Sequence, residues 1–295
     1  MHEPAQAVAA ERSKVAAEGW GARLLSLQEA DGNWGGGPWV RQSWASTMET
    51  LMLLRELGLD PASPQARSAI ARVREKSNWG SHHGHSPFFE GEVEPCINGR
   101  VLACGAYFGE ASARLVERLL GEQLEDGGWN CDAPPSKRSS FDSTICVLEG
   151  LLEYERARGA ATAVRDARLR GEEYLLERRL LRSLSTGNVI DRDRKSHRDW
   201  REFSFPTRWH YDVLWGLDHL RKAGADPDER AAEAIDLVLA RQQQDGRWPL
   251  DHVHAGKVHF DLEGGSGTAS RWNTLRALRV LDWFSRPRDA SFAAA

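Results

Sequence analysis

The fold of this chain is decided by the stretch QLEDGGW, residues Gln123–Trp129, because similar strings occur at two other places. They are QEADGNW at Gln28–Trp34 and QQQDGRW at Gln242–Trp248. Each copy lies between two segments with helical periodicity. A string that recurs in the same context is the signature of a repeat architecture. We therefore predict a chain of helical hairpins whose junctions carry this string.

Each residue type in the string has a physical role at the end of a helix. The Asp-Gly pair provides a turn in which Gly takes a positive φ and stops the helix. The Gln amide can bond backbone groups that the helix end leaves without partners. The Trp indole buries a large apolar surface and has one N–H to satisfy. The string thus predicts that Trp34, Trp129 and Trp248 are buried at hairpin junctions.

The spacing of Trp residues indicates the length of one repeat. Trp79 follows Trp34 by 45 residues, and Trp129 follows Trp79 by 50 residues. Trp248 follows Trp129 by 119 residues, and this longer spacing corresponds to two repeats plus an insertion. About five hairpins result. Helical periodicity marks ten runs. The first, more charged member of each pair is predicted at 5–29, 64–77, 110–124, 161–183 and 228–243. The second, more apolar member is predicted at 43–57, 96–108, 140–157, 209–223 and 270–285.

Composition excludes several classes of protein. The net charge of −4 and the pI near 6.2 give no reason to expect a nucleic-acid partner. No run of about 18 apolar residues is present, so we expect no transmembrane segment. No basic segment followed by an apolar one opens the chain, so we expect a cytoplasmic protein whose cysteines are thiols. Because no Pro/Gly/Ser-rich break divides the repeats, we predict a single domain over residues 1–295.

With these repeats, the chain resembles the terpenoid-cyclase and protein-prenyltransferase superfamily over nearly its whole length, from Gln28 to about Phe284. The resemblance implies an all-α fold, an α/α toroid of about five to six helical hairpins with the second helix of each pair inside. It does not settle the chemistry, because one fold hosts many activities.

Members of that superfamily differ in their catalytic motifs. Class II cyclases such as squalene–hopene cyclase use Asp-x-Asp-Asp, which is absent here. The nearest string, Asp191–Arg194, is interpreted as a solvated surface run. Class I synthases use an Asp-rich motif, which no inner-helix run contains. Prenyltransferase β subunits hold zinc with Asp, Cys and His at the starts of inner helices, so zinc is the cofactor that the resemblance implies.

Ligand-type residues follow the leading aromatic or proline residue of three successive inner-helix runs. They are Cys96, Asp142 and His210, and Cys131 lies in the loop before the Asp142 run. These four residues are a proper set for tetrahedral zinc. The alternatives are a small buried hydrophobe for each Cys, a helix cap for Asp142 and simple packing for His210. Prenyltransferases place Asp and Cys two apart on one helix, so the resemblance supports a zinc more than protein prenylation.

A second set of polar residues stands two positions further along the runs: Thr47, Asn98, Thr144 and Asp212. These side chains line a cavity or bond the backbone one turn earlier. Asp212 is our candidate for a general base or for a partner that orients a ligand histidine. The second candidate catalytic residue is His254, in the long loop 249–269, which we interpret as a lid carrying His252, His254 and His259. The alternative is a solvated loop.

Three functions are compatible with these patterns. The first is a zinc-dependent cyclase, lyase or transferase that acts on an isoprenoid or similarly apolar small molecule in a central cavity. The alternative is a non-catalytic toroid in which a structural zinc supports binding of a hydrophobic ligand or a protein partner. The third is an interaction subunit or homo-oligomer that assembles through the charged outer helices.

Overall fold

The computed structural model describes residues 4–159, 161–190 and 199–286. The charged run Asp191–Arg194 lies outside these residues. The described part of the chain is mainly helical, which confirms the expected all-helical character at the level of secondary structure. Each helix in this part is too short or too polar to span a lipid bilayer.

A helix occurs at each of the ten predicted runs. The first members of the pairs are α1 (Ala5–Val15) with α2 (Gly19–Ser26), α4 (Pro64–Lys76), α6 (Ala113–Gly121), α8 (Thr162–Glu177) and α10 (Ala232–Ala240). The second members are α3 (Thr47–Glu56), α5 (Pro95–Phe108), α7 (Phe141–Arg158), α9 (Val213–Lys222) and α11 (Arg271–Phe284). The first predicted run, 5–29, is broken into two helices because the chain turns after Val15. Two short antiparallel strands, β1 (Trp248–Pro249) and β2 (Ala269–Ser270), are added.

The chain divides into two compact units. Unit 1 comprises Met1–Gly171 and Ala255–Asp261, and unit 2 comprises Glu172–His254 and Leu262–Ala295. The long loop 249–269 is therefore shared, since its middle belongs to unit 1 and its ends belong to unit 2. That the two units form the single domain predicted for residues 1–295 stays a prediction.

In unit 1, α5 packs closely against α7 and also contacts α3. The close approach depends on two glycines within the helices. A Cβ added at Gly99 would lie 2.5 Å from the carbonyl oxygen of Cys146, and one added at Gly150 would lie 2.4 Å from the carbonyl oxygen of Gly99. No side chain fits at either position without moving backbone. The two glycines therefore set the distance between α5 and α7.

Two ion pairs are built into the same helices. Arg100 Nη1 lies 2.6 Å from Glu49 Oε1, and Arg55 Nη2 lies 2.6 Å from Glu149 Oε1. Glu49, Arg100 and Glu149 are buried. Burial of a charge is tolerated when an opposite charge and hydrogen bonds accompany it. These carboxylates are thus inward-facing and paired with arginines of neighbouring helices.

The three sequence strings form the same junction in the structure. Their indoles, Trp34, Trp129 and Trp248, are fully buried. Each indole N–H donates to the carbonyl oxygen ten residues earlier, at 2.8, 2.7 and 2.6 Å; the acceptors are Leu24, Leu119 and Val238. The sequence prediction of buried junction tryptophans is therefore confirmed.

The rest of each junction is also repeated. Each Gln side chain donates to the carbonyl oxygen of the string's own Gly, in the pairs Gln28–Gly32, Gln123–Gly127 and Gln242–Gly246. The φ angles of these glycines are 84°, 91° and 79°, as the turn requires. Each Trp backbone N–H donates to a threonine hydroxyl of the following second-member helix, namely Thr47, Thr144 or Thr274. Each junction thus ties two helices together through one indole, one amide and one hydroxyl.

The core of unit 2 is formed around the third junction. Trp248 belongs to one buried cluster with residues of α9, α10 and α11, among them Leu217, Val238 and Val280. Helix α9 packs against α11. The Trp283 indole N–H donates to the carbonyl oxygen of Ala225 at 2.8 Å. The loop before α9 is positioned on this core.

Candidate functional site

Three ligand-type side chains meet at the N-terminus of α5. Cys96 Sγ lies 2.9 Å from Cys131 Sγ and 3.6 Å from Glu94 Oε2. The ligand atoms of Glu94, Cys96 and Cys131 all lie within 4.8 Å of one another. The structure thus brings together the two cysteines that the sequence nominated as metal ligands, and this group could hold a metal ion.

The local fold explains how the two thiols are positioned. Pro95 begins α5, and Cys96 is the second residue of that helix. Cys131 follows the buried Trp129 by two residues, and its backbone N–H donates to Ser143 Oγ at 3.2 Å. Ser143 lies in the first turn of α7, and its own N–H is capped by Ser140. Cys131 is therefore fixed to the start of α7, while Cys96 is fixed to the start of α5.

The two thiols differ in acidity because a hydrogen bond joins their sulfur atoms. The hydrogen bond with Cys96, assisted by Ser143 Oγ at 3.2 Å, lowers the pKa of Cys131. The same contact with Cys131, together with burial, raises the pKa of Cys96. When the pair ionises once, the thiolate is therefore on Cys131, and the Cys96 S–H donates to it.

The donor set suits a thiophilic divalent metal. Two sulfurs bound to one tetrahedral zinc lie about 3.8 Å apart, given Zn–S bonds of about 2.3 Å. The observed 2.9 Å between Cys96 Sγ and Cys131 Sγ is shorter, so the thiols would separate by about 0.9 Å to bind zinc. Both cysteines are partly buried and Glu94 is exposed, which leaves the group open to solvent.

Glu94 was not among the ligands nominated from the sequence. It stands two residues before Cys96 and directly before the proline that starts α5. Its side chain reaches Cys96, with Oε2 at 3.6 Å from Sγ. A signal for it was present, since a carboxylate two residues before a cysteine at a helix start offers two ligands from one turn of chain.

The other two predicted ligands are placed differently. Asp142 is the second residue of α7, as predicted. His210 lies in the loop three residues before α9, so the predicted helix start at 209 is wrong. The physical reason is that Asp212 caps the helix, with Oδ1 accepting from the backbone N–H of Trp215 at 2.8 Å. His210 is therefore not in the register of Cys96 and Asp142, and ligation by Asp142 or His210 stays a prediction.

The two candidate catalytic residues, Asp212 and His254, are linked within unit 2 by Ser204. The Ser204 hydroxyl lies 3.4 Å from Asp212 Oδ2 and 3.1 Å from His254 Nε2. The Ser204 backbone N–H also donates to Asp212 Oδ2 at 3.3 Å. Burial raises the pKa of Asp212 to about 6, against the effect of these hydrogen bonds. Sequence reasoning did not find Ser204, because nothing in the charged stretch around it marks a serine as a bridge.

The ring of His254 also belongs to an aromatic cluster of unit 2. Its centroid lies 4.4 Å from that of His210 and 4.8 Å from that of His252. The His210 ring in turn lies 3.7 Å from the Trp209 ring. This cluster places His254 beside His210, two residues that the sequence assigned to separate roles.

The three histidines of the loop 249–269 belong to different units, and the lid that this loop was expected to form stays a prediction. His252 and His254 belong to unit 2, whereas His259 belongs to unit 1. His259 Nε2 lies 2.9 Å from Thr50 Oγ1, and the indole N–H of Trp44 donates to Ala255 at 2.9 Å. The middle of the loop is therefore held by hydrogen bonds to unit 1.

The second set of polar residues bonds backbone groups, but not those one turn earlier on the same helix. Thr47 and Thr144 accept from junction tryptophans, as described above. Asn98 Oδ1 accepts from the Glu92 N–H at 2.8 Å, and Asp212 is a helix cap. All four are buried. These contacts fasten the starts of the helices, and a cavity lined by the four residues stays a prediction.

The chain was also compared with known proteins. No protein-family model matches it, and no curated protein matches it. The class that the fold and site define is thus a mainly helical repeat protein with a Glu-Cys-Cys group suited to a metal ion.

Proposed function

We propose that this chain is a zinc-dependent enzyme with the α/α-toroid fold of the terpenoid-cyclase and protein-prenyltransferase superfamily, acting on an isoprenoid or similarly apolar small molecule. The observation that carries the proposal is the convergence of Glu94, Cys96 and Cys131 within 4.8 Å. Glu94 and Cys96 come from one segment and Cys131 from another, and two thiols with a carboxylate are a donor set that suits a thiophilic cation.

The repeated junctions support the proposed fold family. Three hairpin junctions use the same indole, amide and hydroxyl contacts, which is how a ring of equivalent hairpins would be assembled. In addition, Glu94 and Cys96 stand two apart at the start of a second-member helix. That is the spacing of the Asp and Cys zinc ligands in prenyltransferase β subunits, with Glu in place of Asp.

The number of ligands favours catalysis over a purely structural metal. Structural zinc sites are closed by four protein ligands, whereas catalytic sites have three and keep one position for water or substrate. The group here supplies three from the described residues. When bound, zinc would supply Lewis-acid activation of a substrate or water at that position. The prediction that His210 joins Cys96 and Cys131 as a ligand, with Asp142 as fourth ligand or neighbour, is tested by the zinc measurement below.

Acid–base chemistry would be supplied by the Asp212–Ser204–His254 chain. The buried Asp212 carboxyl accepts from Ser204, and Ser204 in turn contacts His254 Nε2. A histidine whose ring is held in place by a second group is the usual form of a general acid or base. His254 is therefore proposed as the proton-transferring residue, and Ser204 as the residue that orients it.

An apolar substrate is supported by the tryptophans outside the junctions. Trp44, Trp209 and Trp272 lead the second-member runs of their hairpins, and all three are only half-buried. Half-exposed indoles near helix starts can stack against a hydrocarbon chain. The junction tryptophans are fully buried and serve the core instead.

Zinc content of the purified protein tests the proposal. We expect one zinc per chain in the wild type, with sulfur neighbours at about 2.3 Å by X-ray absorption. Cys96→Ala and Cys131→Ala should each lose the zinc. Cys104→Ala is the matched control, because Cys104 is also on α5 but is fully buried in the core. A nitrogen neighbour that disappears in His210→Ala would establish the fourth ligand.

Metal removal separates the enzyme from a structural zinc protein. Treatment with a chelator should leave the helical circular dichroism unchanged if the metal is catalytic, whereas a structural zinc would unfold the protein on removal. A wild-type protein that neither contains nor binds zinc would contradict the proposal. So would a Cys104→Ala variant that loses zinc as completely as Cys96→Ala.

A further inference from the structure

The distance between Cys96 Sγ and Cys131 Sγ also suits a second chemistry. At 2.9 Å, it lies between the spacing of about 3.8 Å for two zinc-bound thiolates and about 2.05 Å for a disulfide bond. A movement of less than about 1 Å reaches either state. Cys96 lies in the first turn of α5 and Cys131 lies in the loop before α7, so the two thiols come from separate segments of the chain.

We propose that Cys96 and Cys131 are a redox-reactive pair, which hydrogen peroxide converts reversibly into an intramolecular disulfide that abolishes the metal site. The disulfide rests on the geometry of the thiol pair alone. The loss of the metal rests, in addition, on the proposed function.

The first step places the reaction at Cys131. Cys96 S–H and the Ser143 hydroxyl both lie within hydrogen-bond distance of Cys131 Sγ, and both stabilise a thiolate there. The thiolate attacks one oxygen of the peroxide, so that an S–O bond forms and the O–O bond breaks. The departing hydroxide takes a proton from solvent and leaves as water. Cys131 is then a sulfenic acid.

The second step uses Cys96. Its sulfur attacks the sulfur of the sulfenic acid, so that the S–S bond forms and the S–O bond breaks. The hydroxide that leaves takes the thiol proton of Cys96 and becomes a second water. Two thiols are thereby oxidised by two electrons, and one peroxide is reduced to two waters. A thiol such as dithiothreitol reverses the reaction by exchange.

The other two cysteines provide an internal contrast. Cys104 and Cys146 are fully buried in α5 and α7. Burial raises the pKa of Cys104 to about 12, so that almost none of it is a thiolate near neutral pH. Among the four cysteines, Cys96 and Cys131 combine partial solvent access with a neighbouring thiol at 2.9 Å. Peroxide should therefore consume two of the four thiols.

The consequence for the metal follows from ligand chemistry. Zinc binds thiolates, and a disulfide contains none. Oxidation would leave Glu94 as the remaining member of the group, and one carboxylate does not hold zinc against water. The same pair therefore either binds metal or is oxidised, but not both.

The test is peroxide treatment of the purified full chain, followed by a thiol count and peptide mapping without reductant. We expect the loss of two thiols and one cross-linked peptide joining Cys96 to Cys131, with full recovery in dithiothreitol. Cys104→Ala should form the same cross-link, and Cys96→Ala should not. A sulfinic acid on Cys131 without a cross-link, or a disulfide between chains, would overturn the inference.

A zinc-loaded sample separates this inference from the proposed function. A chromogenic chelator should detect one zinc released for each disulfide formed. If the cross-link forms but the reduced protein never binds zinc, the disulfide stands and the proposed function fails. If zinc binds but peroxide produces no cross-link, the proposed function stands and this inference fails. Circular dichroism of each variant shows that the results come from folded protein.

Discussion

The second and third junctions, at Trp129 and Trp248, share one frame, by which we mean the buried indole and the hydrogen bond from the Trp backbone to a threonine. They differ in the loop between the Trp and the threonine. In both junctions the Trp indole is buried, and the backbone N–H of the same Trp donates to a threonine hydroxyl at 3.0 Å. The threonine follows 15 residues after Trp129 but 26 residues after Trp248. The shorter loop carries Cys131, and the longer one carries His252 and His254.

This difference shows where chemistry enters a repeat protein. The junction contacts leave no freedom for the Trp and Thr, whereas the chain between them can change in length and sequence. In both junctions the ligand-type residues lie in that intervening chain. The frame therefore positions the loop ends, and the loop sequence decides what the repeat can do.

Replacement of the junction indoles should have the largest effect. Trp129→Ala and Trp248→Ala should each cost about 3–5 kcal/mol of unfolding free energy, because each removes a fully buried aromatic side chain and its hydrogen bond. Denaturant unfolding followed by circular dichroism measures the change. Trp39, which is 40% exposed, provides the control, since Trp39→Ala should cost less than about 1 kcal/mol. Similar losses of unfolding free energy in Trp39→Ala and Trp129→Ala would contradict the stabilising role of the junction indoles.

Loss of the threonine hydroxyls should separate the two junctions. Thr144→Val leaves the Trp129 N–H buried without a partner, at a cost of about 1–3 kcal/mol. Thr144 is fully buried, whereas Thr274 is half-exposed. Water can therefore replace part of the lost bond in Thr274→Val, and its cost should be smaller. The two variants are compared by denaturant unfolding, and a larger cost for Thr274→Val would contradict the burial argument.

Replacement of the junction glutamines should also cost more stability at the second junction than at the third, but the difference should be smaller. Gln123 Nε2 donates to the carbonyls of both Gly127 and Ala167, at 2.7 and 2.8 Å. Gln242 donates to Gly246 at 3.1 Å and is exposed. We expect Gln123→Ala to cost about 1 kcal/mol and Gln242→Ala about half of that or less. Thermal unfolding of the two variants side by side measures the difference, and equal shifts would show that the second acceptor is unimportant.

The smallest expected effect concerns the turn of the first junction. Asp31 accepts from both the backbone and the side chain of Asn33, and these hydrogen bonds lower the pKa of Asp31 from its ordinary value of 3.8. A lowered pKa contributes stability above the unfolded value and loses it as the pH falls through the folded value. Wild type should thus lose its small advantage over Asp31→Asn when the pH drops below about 4.

The third junction supplies the control for this effect. It has Arg247 where the first junction has Asn33, so Asp245 accepts its hydrogen bond from the backbone N–H, and its exposed ion pair with Arg247 at 4.0 Å contributes little. The Asp245→Asn difference should therefore change less with pH than the Asp31→Asn difference. Unfolding free energies at neutral and acidic pH measure both. An Asp31→Asn difference that is independent of pH would contradict the prediction.

Local patterns predicted most of the helices, and the errors have local causes. The second-member runs 96–108 and 140–157 match α5 and α7 within one residue. The 209–223 run begins four residues too early because Asp212 caps α9, and apolar periodicity does not distinguish residues before a cap from those after it. The toroidal arrangement of the hairpins stays a prediction.

The site was predicted only in part. Cys96 was found because it occupies the same position in its repeat as Asp142 does in the next, and Cys131 because it lies in the loop that leads to the Asp142 helix. Asp212 was chosen from the second set of polar residues, and His254 from the histidines of the long loop 249–269. Glu94 was missed although its position two residues before Cys96 was a usable signal, and Ser204 was missed because no pattern in the sequence around it marks it. The first completes a ligand group, and the second joins two residues that are 42 apart in sequence.

By itself, the sequence determined the hairpin junctions of this protein, since a turn, a helix cap and a buried indole are requirements that neighbouring residues meet. Only the tertiary structure decided that Cys96 and Cys131 meet, although they are 35 residues apart. Their distance depends on how closely α5 approaches α7, and that approach depends on backbone contact at Gly99 and Gly150. Helical periodicity encodes which face of a helix is buried, but it does not encode the distance to the neighbouring helix. Metal binding and disulfide formation both require the two sulfur atoms to be placed to within about 1 Å.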